Sequence, residues 1–246
     1  MRHLLKPFFV LLLLLLQTGL LTAEDAKQGA LFDYVAKEDD SYGWKVRQTT
    51  KLGGVDVTEL TLTSQTWRGI VWKHQLYIMK PEGLKDASQA LMIISGGGWS
   101  DDLEKPAEGK MKLPSEASIL SGVVKRINTP VAILMHVPQQ PIFDGKTEDA
   151  IISYTFDEYL KSGDPEWPLL LPMTKSAVRA MDAIQEYARQ DWSMDIDGFT
   201  VTGGSKRGWT TWLTGAVDPR ATTIAPMVID VLNMEAQMKH QLEAWG

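Results

Sequence analysis

Apolar and polar positions alternate along "VDVTELTLTS", residues 55–64, and again along "VWKHQLYIM", where Trp72, His74, Leu76 and Ile78 share one face. A period of two predicts two strands, and Pro81, Glu82 and Gly83 end the pair with a turn. The pattern then changes. "ALMIISGGGWS" is a continuous apolar run that opens into three glycines, as a strand buried on both faces would. Leu120, Val123, Val124 and Ile127 lie on one helix face, and "VAILMHV" is a second buried strand, closed by Pro138. Residues 138–172, with prolines at 138, 141, 165, 168 and 172, read as a long excursion. Ala177, Val178, Met181, Ile184 and Ala188 mark another helix, and "FTVTGG" a third buried strand. Trp209, Trp212, Leu213, Ala216 and Val217 give a helix stopped at Asp218-Pro219. "IAPMVID" is a further strand despite Pro226, and "NMEAQMKHQLEAW" a final helix.

Buried strands alternating with helices predict an α/β fold, a mostly parallel sheet with helices on both faces, preceded by two antiparallel strands. Sites in such sheets lie at the carboxyl ends of the strands. The glycine runs at 96–98 and 203–204 both fall there, which makes them a site and not a pair of turns.

The first residues follow a different pattern. Basic Arg2 and Lys6 precede an apolar run from Phe8 to Leu16, and small Thr22 and Ala23 precede acidic Glu24 and Asp25. This order reads as a secretory signal peptide over residues 1–23, with one domain over 24–246. An uncleaved anchor is the competing reading, because Pro7 to Ala23 borders on spanning length. The short apolar core and small-residue exit favour cleavage, which leaves an exported chain, periplasmic or extracellular, with no stable membrane span. Loss of Arg2 and Lys6 takes the net charge from −6 to −8. That charge, with no basic patch, argues against a nucleic-acid partner. The chain has no cysteine, which excludes disulfides, thiolate metal sites, cysteine nucleophiles and a lipoprotein anchor. No cofactor or metal is implied.

The chemistry gathers at "GGSKRGW", residues 203–209. A serine hydroxyl is a poor nucleophile unless it is held exposed and a base takes its proton. A strand–turn–helix elbow with flanking glycines holds it exposed. Ser205 sits in such a turn, although the usual glycine two places on is Arg207, and Gly208 comes one place later. The developing oxyanion needs backbone donors. One is the amide of Lys206; others are Gly97, Gly98 or Trp99 in "SGGGWS", where Ser95 replaces the histidine common in esterases. Lys206 and Arg207 raise a puzzle, because the helix macrodipole disfavours cations in the first turn by about 0.3–1 kcal/mol each. Either one faces the site and favours an anionic or highly polar substrate, or both pair with carboxylates such as those in "KTEDA". A phosphate-cradling loop fits poorly, since neither glycine run has the spacing of a nucleotide-binding motif.

"LTLTSQTWRG", "TEDAIISYTFDEYL", "WPLLLPMTKSAVRAMDAIQEY", "GGSKRGWTTWLTGAVDPR" and "PMVIDVLN" resemble the PhoPQ-activated pathogenicity-related protein family, of PqaA type. The likeness runs from about residue 32 to the end. It implies an exported protein of α/β-hydrolase fold, linked to bacterial virulence and controlled by a two-component system, and it leaves open small-molecule, peptide and saccharide esters as substrates. The turn alone also resembles that of glucuronoyl esterases, where a cation directly follows the serine, as Lys206 does.

An elbow hydrolase orders its triad as serine, acid, histidine. After Ser205 comes one histidine, His240, in the final helical pattern, where a surface or packing role is the plainer reading. His74 and His136 precede the serine and serve the sheet. Asp230, at the end of the strand after the elbow, is either the acid that orients a histidine or a helix N-cap. Family members are longer, so the chain reads as a fragment whose last strands and catalytic histidine lie beyond Gly246. Three functions stay open: a serine hydrolase acting on ester or amide bonds, a non-catalytic exported binding protein whose tryptophans (Trp99, Trp209 and Trp212 among them) stack on a ligand, and an inactive truncated product.

Overall fold

The computed structural model describes residues 29–246 except 112 and 114–116, so the signal-peptide reading lies outside the described residues. Seven strands form one sheet: β1 (Gly43–Lys51), β2 (Val55–Trp67), β3 (Ile70–Pro81), β4 (Gln89–Ile94), β5 (Val131–Leu134), β6 (Gly198–Gly204) and β7 (Thr223–Met227). Their order is β1-β2-β3-β5-β4-β6-β7. The first three strands pair antiparallel, as do β3 and β5, while β5, β4, β6 and β7 are mutually parallel. The sheet is therefore mixed, and the parallel half carries both glycine runs.

Among the described residues six α-helices complete the fold: α1 (Ala30–Ala36), α2 (Ala117–Ile127), α3 (Asp149–Ser162), α4 (Leu170–Tyr187), α5 (Lys206–Val217) and α6 (Met234–Trp245). On one face, α4 packs against β2 and β3 and is flanked by α1 and α5. Nearly all of α4 is buried, which its continuous apolar and small residues permit. On the other face, α2 presses Val124 into a smaller core with Val55, Val57, Tyr77, Met79, Val131 and Ile133. Trp72, His74, Leu76 and Ile78 are all buried, so the alternation along β3 does mark an inward face. No helix among the described residues is long and apolar enough to cross a membrane.

Three elements differ from the sequence expectation. β1 is an additional antiparallel strand whose alternation is broken by a bulge, since Val46 faces Leu60 and Gln48 faces Glu59 with Arg47 between them. α1 was not expected. α3 occupies what reads as an irregular excursion, and α4 starts inside that stretch, with Pro172 tolerated in its first turn.

Lys175 of α4 is only 2% exposed. Its ammonium donates to the carbonyls of Tyr34, at 3.4 Å, and Lys37, closing the C-terminal end of α1, and lies 5.3 Å from the Tyr34 ring centroid. Burial pushes its pKa down. Lys175→Met keeps the length and removes the donor. It is expected to cost about 1–3 kcal/mol, with amide exchange across α1 rising before that of the sheet.

Candidate active site

β4 and β6 run parallel in a register that sets Ile94 beside Gly203. The loops that leave them, residues 95–99 and 204–206, therefore emerge side by side at the carboxyl edge. Ser205 sits at the tip of the second loop with φ 55 and ψ −125, a conformation costing a non-glycine residue about 1–3 kcal/mol. Its backbone is fastened on both sides: the amide donates to Met227 O at 3.0 Å, and the carbonyl accepts from Trp209 N at 3.0 Å. The residue itself is exposed.

Two glycines make this turn feasible. A methyl group on Gly203 would lie 2.8 Å from Arg207 O. One on Gly208 would lie 2.6 Å from Ile229 Cγ2, 2.8 Å from Met227 O and 3.0 Å from Gly203 O. The close approach of α5 to β6 and β7 thus falls at Gly208, which leaves the earlier position free to be Arg207. Gly208→Ala is expected to lower stability by about 1–3 kcal/mol, measured by urea unfolding.

Both cations turn away from the tip and meet carboxylates of α3. Arg207 Nη1 and Nη2 donate to the two oxygens of Glu148 at 2.8 and 2.7 Å, and Nε donates to Val137 O at 2.6 Å. Lys206 Nζ lies 2.8 Å from Glu148 and 3.0 Å from Asp149. The puzzle of cations at a helix N-terminus has a local resolution: carboxylates from "KTEDA" offset the macrodipole. The Arg207 guanidinium also lies over Gly96, where a methyl group would be 2.5 Å from Nη2.

Glu148 is itself strained, with φ 52 and ψ −125, and Gln140 holds it twice, accepting from its amide at 2.8 Å and donating to its carboxylate at 2.7 Å. The Arg207 hydrogen bonds, helped by Lys206 and Gln140 and opposed by burial, push the Glu148 pKa down to about 2. Burial works against the charge on Lys206, but its hydrogen bonds to Glu148 and Asp149 outweigh it and raise the pKa. A depressed glutamate stabilises the fold fully above its ordinary value of 4.5 and loses that contribution as pH falls through about 2. Acid unfolding of the wild-type chain between those limits is therefore expected to be steeper than that of Glu148→Gln, read from denaturant midpoints at each pH.

The first glycine loop is oriented by its carbonyls. Gly96 O accepts from His136 N at 3.0 Å, and Gly97 O accepts from Gln140 Nε2 at 3.2 Å. In a trans peptide the next amide points the opposite way, so the N–H groups of Gly97 and Gly98 point away from the segment that follows β5. β6 and Ser205 lie on that other side of β4. Among the described residues these two amides, and that of Lys206, donate to no acceptor. Trp99 must be removed from the candidate donors, because its amide donates to Gln140 O at 3.1 Å.

Asp230 requires a correction too. β7 ends at Met227, so Asp230 follows the strand by three residues and is exposed, accepting from Gln237 Nε2 at 3.2 Å. The cap of α6 is Asn233, whose side chain accepts from Ala236 N, and not Asp230. The neighbour of Asp230 in sequence, Ile229, packs on Gly208 of the elbow. His240 is exposed on α6. His74 is fully buried between Ser64 and Met135 O, and burial pushes its pKa down to about 3. Trp209 stacks on Phe156 at 6.3 Å, a packing role. A groove of about 430 Å³ lined by Arg47, Gln48 and Gln75 with Asp102, Leu103 and Lys105 among others does not include Ser205. The acidic pair in "KTEDA" signals the partners of the two cations in the sequence, whereas Gln140 carries no such signal.

The family model of PhoPQ-activated pathogenicity-related proteins matches residues 31–246. The chain belongs to that family. A curated relative, autocrine proliferation repressor protein A of Dictyostelium discoideum, is 37% identical over 227 residues. The match covers 88% of this chain and 44% of the relative, so the chain spans less than half of that protein's length. Among solved structures, the fold is similar to acetyl xylan esterase from Paenibacillus sp. R4, with a TM-score of 0.54 at 13% identity over 90% of this chain and 65% of that one. It is also similar to acetyl xylan esterase 1 from Thermoanaerobacterium sp. JW/SL YS485, with a TM-score of 0.50 at 12% identity over 90% and 66%. These likenesses establish the α/β-hydrolase fold of this family member. The strand order and the elbow between β6 and α5 are the features of that fold that place Ser205.

Proposed function

We propose that the protein is an exported serine hydrolase that cleaves ester or amide bonds through Ser205. The observation that carries this reading is the strained, exposed serine at the end of β6, beside a loop whose Gly97 and Gly98 amides donate to no acceptor among the described residues. Ser205 Oγ attacks the carbonyl carbon and gives its proton to a histidine. The oxyanion is held by the Lys206 amide with that of Gly97 or Gly98. Collapse expels the alcohol or amine, protonated by the histidine, and water then releases the acid from the acyl-enzyme by the same steps in reverse. Asp230, on the loop after β7, is the acid that orients this histidine. Among the described residues no hydrogen bond joins Ser205 to His74, His136 or His240, and the curated relative is more than twice as long as the segment it shares.

In this role Lys206 and Arg207 act through Glu148, holding the elbow to α3, and Lys206 contributes its backbone amide to the oxyanion. Export follows from the N-terminal pattern, and the mature chain is expected to begin near Glu24. The test is turnover of 4-nitrophenyl acetate and of matched anilides by protein purified from its native host. Saturable hydrolysis lost at Ser205→Ala is expected; a folded protein that turns over neither class would sink the reading.

A further inference from the structure

Glu59, in the middle of β2, is fully buried and accepts from three donors: Arg47 Nη1 at 2.9 Å, Gln48 Nε2 at 2.6 Å and Gln75 Nε2 at 2.6 Å. The bulge in β1 is what lets adjacent Arg47 and Gln48 both reach it. An ionised carboxylate only accepts, so Glu59 fixes which way the Gln75 amide points. Gln75 Oε1 is then left facing His136 Nε2 at 2.9 Å. Because that oxygen also only accepts, His136 carries its proton on Nε2, and in the neutral ring Nδ1 is a bare acceptor. Burial lowers the pKa of His136, against a backbone contact with Gly97 that raises it, and so favours the neutral ring.

That bare nitrogen is buried and has no partner among the described residues. It faces the first glycine loop: a methyl group on Gly97 would lie 3.0 Å from it, and Gly97 has φ 114. The same residue holds the loop by its backbone, through His136 N to Gly96 O at 3.0 Å, and the Trp99 ring meets the imidazole edge-on at 5.8 Å. Leaving a buried acceptor unsatisfied is costly.

We propose that His136 is a positioning residue for the loop that carries Gly97 and Gly98: the chain Glu59–Gln75–His136 locks it in its Nε2–H form, and its ring against Gly97, with its amide on Gly96 O, sets the angle of the two amides. Its effect on the reaction rests on the hydrolase reading of Ser205; its tautomer and its hold on the loop do not. The chain of contacts begins under the sheet, in strands that hold no residue of the elbow.

Nitrogen-15 imidazole spectra of the full-length protein give the first test. Neutral Nε2–H at His136 near pH 7 is expected; an Nδ1–H or charged ring overturns the proposal, and this measurement needs no variant. Gln75→Met then breaks the chain without touching the loop. The His136 ring is expected to become a tautomer mixture, the Gly97 and Gly98 amide resonances to shift while the sheet's do not, and fluorophosphonate labelling of Ser205 to slow by about 10- to 100-fold. Unmoved glycine amides with an altered tautomer overturn it, as does undiminished labelling. Should the wild-type serine not label at all, the hydrolase reading falls, and the tautomer and amide shifts still decide the role of His136.

Discussion

Ser205→Ala is expected to lower kcat on an activated ester by on the order of 10⁴-fold or more, because the nucleophile acts as a unit with its base and its loss removes the covalent route. The fold is expected to tolerate the change. The Ser205 side chain is exposed, and both backbone hydrogen bonds that fasten the turn are independent of its hydroxyl. Ser205→Gly sharpens the test, since it relieves φ 55 and ψ −125. It is expected to gain about 1 kcal/mol of stability while being equally inactive, the trade expected where strain is kept for function. Thermal midpoints and initial rates on the two variants separate these effects.

The second large effect is expected at Glu148. Alanine there leaves Arg207 and Lys206, both largely buried, without the carboxylate they share, at the end of a helix whose dipole disfavours them. Removing one partner of such a cluster costs about 3–5 kcal/mol where the remaining charge stays buried. Here solvent reaches part of Glu148 and Asp149 still holds Lys206, so the lower end is expected. Activity is expected to fall further than stability accounts for, because Glu148 joins α3 to the elbow through Arg207 and to the glycine loop through Gln140. Glu148→Gln keeps the hydrogen-bonding shape and loses the charge, and it should fall between wild type and alanine. Equal losses in both variants would mean that charge, and not hydrogen-bonding shape, holds the elbow.

Much of the scaffold is legible in the chain because burial imposes a period. β2 and β3 alternate, β4 and β6 are continuous apolar runs, and α4 and α5 carry apolar residues at helical spacing, each matching a partner in the sheet. β1 is hidden for a definite reason: the bulge at Arg47 shifts its alternation by one residue, and the side chain so displaced is needed at Glu59. α3 is hidden by the prolines around it and by its weakly amphipathic surface, of which only Ile151 and Thr155 are buried.

The site was legible as a location and less so as a set of roles. Two glycine runs at strand ends located it, and the carboxylates near residue 148 were visible as partners for the cations. Which amides face the serine depends on where the carbonyls of Gly96 and Gly97 are held, a long-range fact carried by His136 and Gln140. From the chain alone Trp99 is as good a donor as Gly97 or Gly98, because the segment after β5, which takes its amide, has no signal in sequence. The apolar run "IAPMVI" predicts a strand that ends at Asp230, but pairing with β6 stops at Met227.

The most direct test of the elbow is to treat the protein, as its host makes it, with a fluorophosphonate and to measure its intact mass and its peptides. One adduct is expected, on the peptide that contains Ser205, and none on Ser205→Ala. A folded protein that gains no adduct, or gains one on a different serine, would contradict the assignment of Ser205 as the nucleophile.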